Sequence, residues 1–218
     1  MRNDGFSLIE LLVVILVLTM LMGGVYSMLF VSQATFEAQQ DAQDLRQQAR
    51  VAMKQLIPEL RMAGYGRNNV PQALLNATAT SIQFAGDLDV GSADPPCTAA
   101  VEAAPNGGVE RITLSLVPQG AVNNLVRTVD CWNGAAWANE YTNQVVASNV
   151  LNAGFLLRYF DENGNELVPG PGLTTTQRDA VRTVSISLNL LGENEQVVGD
   201  SYVSFQLTTR VEIRNAGS

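Results

Sequence analysis

The period of the apolar residues divides the chain into three stretches. From Leu11 to Val31 no side chain is charged, a run of 21 residues. At about 1.5 Å per helical residue it spans roughly 31 Å, the thickness of a bilayer's hydrocarbon core. The pattern then becomes one-sided. Ala38, Ala42, Leu45, Ala49, Ala52, Leu56, Leu60 and Ala63 recur at the three- and four-residue intervals of an amphipathic helix. Gln39, Gln40, Asp41, Gln43, Asp44, Gln47, Gln48 and Arg50 form its polar face. Together these predict one helix from Phe6 to Ala63, roughly 85–90 Å long. Pro58 lacks a backbone donor and is expected to kink it near its end. Gly64-Tyr65-Gly66, followed by Asn68-Asn69, stops it.

Beyond Val70 the period falls to two. Ile82 and Phe84 predict a short strand, and Ile112, Leu114 and Leu116 alternate with Arg111, Thr113 and Ser115. Phe155, Leu157 and Tyr159 follow, then Val184, Ile186, Leu188 and Leu190. The last run, Val203 to Ile213 against Ser204 to Arg214, is the cleanest. Strands with one apolar and one polar face predict an antiparallel sheet covered on one side, and the Leu45–Leu60 stripe is the natural cover. The fold class is therefore α+β. Between strands, Trp132 to Trp137 places two tryptophans around a turn, expected to cover the edge of a core. Gly86 to Gly108 and Gly164 to Gly172 read as irregular connections.

Composition narrows the chemistry. Net charge is −8, with 13 basic residues of which Lys54 is the single lysine. That balance argues against a nucleic-acid footprint and against a polybasic lipid-binding patch. There is no histidine, which removes Ser-His and Cys-His pairs, His metal sites and the commonest general base. No phosphate-binding glycine loop occurs, so no enzyme, cofactor or metal site is expected. Asp161 to Glu166 superficially resembles a calcium loop. An EF-hand needs glycine sixth and glutamate twelfth, whereas here Gly164 is fourth and Gly172 twelfth. Asn163-Gly164 reads better as a hairpin turn, and Glu193-Asn194-Glu195 as a solvated turn.

The two cysteines are too few for a four-thiolate zinc site. In an exported domain Cys97 and Cys131 are expected to form one disulfide. It would close a loop of about 35 residues and be worth roughly 3–4 kcal/mol by loop entropy; two unpaired thiols are the alternative.

The apolar run begins with an oddity. Glu10 stands at its front, and a carboxylate at membrane depth costs on the order of 2.5–3.5 kcal/mol. A secretory signal peptide would have a shorter apolar core of about 7–15 residues and a small-residue cleavage site. An ordinary signal anchor has no use for the acid. A cut after Gly5 would supply a partner, because the new α-ammonium of Phe6 would lie about one helical turn from Glu10, on its own chain or a packed neighbour. Arg2 before the span, and Glu37, Asp41 and Asp44 after it, favour a cytoplasmic N-terminus and an exported C-terminal domain.

Gly5-Phe6-Ser7-Leu8-Ile9-Glu10 running into an apolar helix resembles the class III leader of type IV pilins and pseudopilins. The resemblance implies cleavage between Gly5 and Phe6 by an inner-membrane prepilin peptidase and N-methylation of Phe6. Glu10 would guide register in a helical filament. Asp4 departs from the family's basic or neutral residue, leaving Arg2 as the only cation before Gly5, which predicts slower processing. The Asp44-Leu45-Arg46 segment and Leu60-Arg61-Met62-Ala63-Gly64-Tyr65-Gly66 resemble the PilW group of minor pilins, related to the J-type minor pseudopilins of type II secretion. Many major pilins carry a proline inside the membrane helix. Here Gly23-Gly24 takes that place, as a flexible point or a packing notch.

The implied organisation is a leader at 1–5, a membrane-spanning or filament-core helix at 6–31, its amphipathic continuation at 32–66 and an exported β-rich pilin domain at 67–218. Expected partners are the prepilin peptidase, other major and minor pilins and the inner-membrane assembly platform. The chain would be single-pass in the inner membrane before assembly and in a pilus or pseudopilus afterwards. Two other roles are a J-type pseudopilin and a tip adhesin, whose ligand-binding loops would be Gly86–Gly108 or Trp132–Trp137.

Overall fold

The computed structural model describes residues 7–66, 72–88, 109–132, 135–195 and 202–213. Helix α1 runs unbroken over Leu8–Arg61. Fifty-four residues span about 81 Å, somewhat less than expected because Ser7 is the N-cap and Met62 the C-cap. Pro58 lies inside that last turn, where only one internal hydrogen bond is lost to its missing N–H. Gly64 then takes a φ of 84°, a conformation that suits glycine, and turns the chain away.

Among the described residues eight strands follow: β1 (Leu74–Ala77), β2 (Ile82–Gly86), β3 (Val109–Gln119), β4 (Val122–Trp132), β5 (Trp137–Phe160), β6 (Glu166–Leu167), β7 (Thr183–Glu195) and β8 (Tyr202–Glu212). They form one sheet in the order β1-β2-β3-β4-β5-β7-β8, with β6 paired to β5. Every pairing is antiparallel.

The sheet curls about the lower half of α1. Leu45, Ala49, Ala52, Met53, Leu56 and Leu60 are buried on it. They share one core with Phe84, Ile112, Leu114, Phe155, Leu157, Val184, Ile186 and Leu188. At the helix end the Gly64 N–H donates to Ala85 O at 2.7 Å and the Asp87 N–H to Tyr65 O at 2.8 Å. This tie forces close contact, since a Cβ on Gly86 would sit 2.6 Å from Met62 O.

Beyond β1 and a short helix that the sequence reading did not predict, three stretches depart from the expectations. The stretch at 122–132 carries Asn123 and Arg127 on its buried face, so β4 hides its alternation behind polar residues. The first half of β5 pairs with β4 through four register shifts, and Asn143 and Asn149 adopt positive φ. Each shift resets the two-residue period, so the stretch reads as loop in sequence. Glu193-Asn194-Glu195, expected as a solvated turn, continues β7 instead, with Glu195 paired to Tyr202. Ladder pairing to β8 outweighs the acidic composition there.

A short helix α2 (Thr175–Ala180) interrupts the connection from β6 to β7. Thr174 and Gln177 form its capping box. The Asn163-Gly164 hairpin forms as expected. Asp161 Oδ1 accepts from the backbone N–H groups of Asn163 (2.9 Å) and Asn165 (2.8 Å), and Oδ2 accepts from Asn165 Nδ2 (3.0 Å). The carboxylate is occupied by its own turn, and those bonds, led by the Asn165 side chain, hold its pKa below the ordinary value.

Candidate functional site

The upper half of α1 is the feature that demands a function. Nineteen large apolar side chains between Leu8 and Val31 are each at least 48 % exposed. Stripping that much apolar surface of cover costs tens of kcal/mol at about 1.5 kcal/mol or more per side chain, beyond the roughly 5–15 kcal/mol that holds a domain folded. This half cannot remain in water. Its length and composition suffice to cross a membrane.

Two side-chain hydroxyls along α1 are satisfied by its own backbone. The hydroxyls of Thr19 and Thr35 donate back to Leu16 O (2.9 Å) and Val31 O (2.8 Å), so the helix satisfies them internally. A Cβ on Gly23 or Gly24 would meet no atom of the chain. The two glycines therefore leave a bare strip of backbone facing outward.

Ser7 stands at the N-cap in extended conformation and makes no side-chain cap. Its carbonyl accepts from the N–H groups of Glu10 (3.0 Å) and Leu11 (3.2 Å). Glu10 is exposed in the first turn, where the positive end of the helix dipole favours an anion. The dipole is a partial charge, so the carboxylate still lacks a full countercharge among the described residues. Gly5 and Phe6 lie outside the described residues.

Lower down, polar pairs tie stem to sheet. Arg127 Nε on β4 meets Glu59 Oε1 at 3.0 Å, and Arg127 Nη1 donates to Gln144 Oε1 at 2.9 Å. Gln48 Nε2 donates to Ser148 Oγ at 2.6 Å. Burial pushes the Glu59 pKa up, only partly offset by the charge and hydrogen bond of Arg127 and a bond from Gln55. Sequence reading missed this pair, because an arginine inside a strand looks like an outward residue until its partner helix is in place.

On the outer face, Trp132 and Trp137 meet across the β4–β5 hairpin with ring centroids 5.2 Å apart. The Arg111 guanidinium lies 4.7 Å from the Trp137 ring centroid and bonds Asp130 at 2.8 Å. The tryptophans pack on a small cluster containing Ala85 and Val109, as edge-covering residues do. Cys131 is fully buried in the main core, while Cys97 lies outside the described residues. Most of the Gly86–Gly108 connection also lies outside them. No group of metal-ligating side chains forms among the described residues.

Residues 1–26 match the family described as "Prokaryotic N-terminal methylation motif". The match spans Gly5, Phe6 and Glu10 and ends within the exposed apolar run. No curated protein matches the chain. The match supports a type IV pilin or pseudopilin, a class of structural subunits. Such a leader implies processing by a prepilin peptidase and assembly with other pilins. It fits anchoring in the inner membrane followed by incorporation into a filament.

Proposed function

We propose that the chain is a PilW-like minor pilin of a type IV pilus, a structural subunit that helps prime or cap assembly. The observation that carries the reading is the division of α1: an N-terminal half with every large apolar side chain exposed, and a C-terminal half sealed against a sheet. Bilayer lipid can cover the first half before assembly, and neighbouring helices can cover it afterwards. Transfer from one to the other keeps the apolar surface out of water throughout.

In this reading residues 1–5 are removed by cleavage between Gly5 and Phe6, and Phe6 is N-methylated. Residues 6–31 form the filament core, 32–66 the stem and 67–218 the exported domain, periplasmic before assembly. Glu10 sets register, because its charge is tolerable only where an ammonium lies beside it. The chain is not an enzyme; it is a substrate of one. A Cys97–Cys131 disulfide is part of the proposal, supported by the absence of a free thiol at Cys131. The PilW assignment rests on the stem phrase ending in Gly64-Tyr65-Gly66, whose structural counterpart is the Gly64–Ala85 tie.

Intact mass and N-terminal sequencing of the protein from its native membrane test the reading. A chain beginning at N-methylated Phe6 supports it; one retaining Met1 to Gly5 refutes it. Deletion then separates the two filament roles. Loss of pili marks a pilus subunit, and loss of protein export with intact pili marks a J-type pseudopilin.

A further inference from the structure

The sheet ends at β8, and that edge is bare. β8 is last in the strand order and pairs with β7 in regular register from Ser204 to Glu212. Among the described residues no backbone hydrogen bond reaches its other side. From Tyr202 to Thr209 there is no proline and no charged residue, the devices that ordinarily blunt an exposed edge. The N–H and C=O groups along that side are open to a further strand.

The edge lies against the basic flank of the stem. α1 packs on β8, where Phe205 and Leu207 are only partly buried against the core. The Arg46 guanidinium rests 5.8 Å from the Phe205 ring centroid. Arg50 and Lys54 follow Arg46 at four-residue intervals, so all three stand on the side of α1 that borders β8. They line an open groove of about 640 Å³ together with Gln43, Gln47 and the exposed Val51. Among the described residues Arg50 and Lys54 make no ion pair with the chain's own side chains. Asp41 and Asp44 line a separate pocket with Asn149 and Gly192, away from this groove.

The spacing of the cations says what fits beside them. Four helical residues rise about 6 Å, and alternate residues of an extended strand lie about 6.6–6.8 Å apart. A strand laid along β8 turns every second side chain towards the stem at nearly the interval at which Arg46, Arg50 and Lys54 recur. Across the three positions the two spacings diverge by only about 1–2 Å, within the reach of flexible side chains.

We infer that β8 is a docking edge for an extended segment of another protein, with acidic side chains at alternate positions facing Arg46, Arg50 and Lys54. Main-chain hydrogen bonds to β8 supply the affinity, and the cations supply partner choice and register. Such a contact involves only the stem and the sheet, and it stands whether or not the chain enters a filament.

The full-length chain in a non-ionic detergent is titrated with a fluorescent, acetylated and amidated peptide that alternates threonine and glutamate, and binding is read by anisotropy. A zero-length carbodiimide then couples a bound glutamate to Lys54, the chain's single lysine. Binding should slow hydrogen exchange at alternate amides of β8 and leave β3 unchanged. A threonine–lysine peptide should bind about tenfold more weakly. So should the threonine–glutamate peptide with adjacent N-methyl groups at its centre, one of which faces β8 whichever way the strand runs. Arg50→Glu, at an exposed position, should weaken binding about tenfold. Lys54→Arg should keep binding and lose the link. Raising salt to about 0.5 M, where screening is short-ranged, should also weaken it.

Absence of binding overturns the inference. Binding that ignores the N-methyl groups, or that leaves β8 exchange unchanged, also overturns it, because charge alone then holds the peptide. Indifference to Arg50→Glu, or equal binding of the lysine peptide, removes the basic flank and overturns it as well. Protection of β8 that rises with protein concentration in the absence of peptide assigns the edge to a second copy, and the inference fails.

Discussion

Glu59 and Arg127 offer the sharpest test of how the stem is held to its sheet. The pair joins the last turns of α1 to β4, and its side chains are 16 % and 10 % exposed. Removing one partner of a buried pair costs about 3–5 kcal/mol, because the survivor stays buried and uncompensated. Here Gln144 still accepts from Arg127, so Glu59→Met should cost about 3 kcal/mol, the low end of that range. Replacing both, Glu59→Met with Arg127→Met, should return to within about 1 kcal/mol of the parent, since two apolar chains of similar volume need no countercharge.

Urea unfolding of the detergent-solubilised full chain is the assay. The chain has two tryptophans, Trp132 and Trp137, both at the β4–β5 hairpin. Their fluorescence therefore reports the sheet and not the membrane helix. The pH dependence has a definite sign. Burial raises the folded pKa of Glu59 above the ordinary value of 4.5. Its contribution is then fully present below pH 4.5 and is lost as pH rises through the folded pKa. Relative to Glu59→Gln, the parent should gain stability as pH falls from neutral towards 4.5. Additive single and double losses, or a parent that loses ground to Glu59→Gln over that range, would refute the reasoning.

Other consequences follow from particular contacts. Glu10→Val should leave processing at Phe6 intact and sharply reduce recovery in the sheared filament fraction; normal incorporation would sink the ammonium-pairing argument. Gly86→Ala drives a methyl group against Met62 O and should cost on the order of 2 kcal/mol in the same urea assay. A neutral result would mean that the helix end is not held by β2. Asp161, whose folded pKa is lowered, stabilises its hairpin above its unfolded pKa and loses that contribution as pH falls through the folded value. The Asn163 and Asn165 amide resonances should therefore shift together in that acid range, and their indifference to pH would rule the turn bonds out.

The chain's own pattern determined what could be decided locally. An unbroken apolar run, a one-sided alanine and leucine stripe and a glycine stop define α1, because helical period and capping depend on neighbours only a turn away. Strands with a clean two-residue period, such as β3, β7 and β8, were legible for the same reason. The expectation at Gly5, Phe6 and Glu10 came from their position at the front of the apolar run, within the residues that match the methylation motif. Tertiary structure decided the rest. The inward Arg127 of β4 became intelligible only opposite Glu59, 68 residues away in sequence. The first half of β5 acquires its bulges from register with β4, and Glu193–Glu195 become strand through pairing with β8. Gly86 needs its bare backbone because a helix end packs there. These are contacts between distant segments, and a periodicity carries no record of a partner that folding alone brings near.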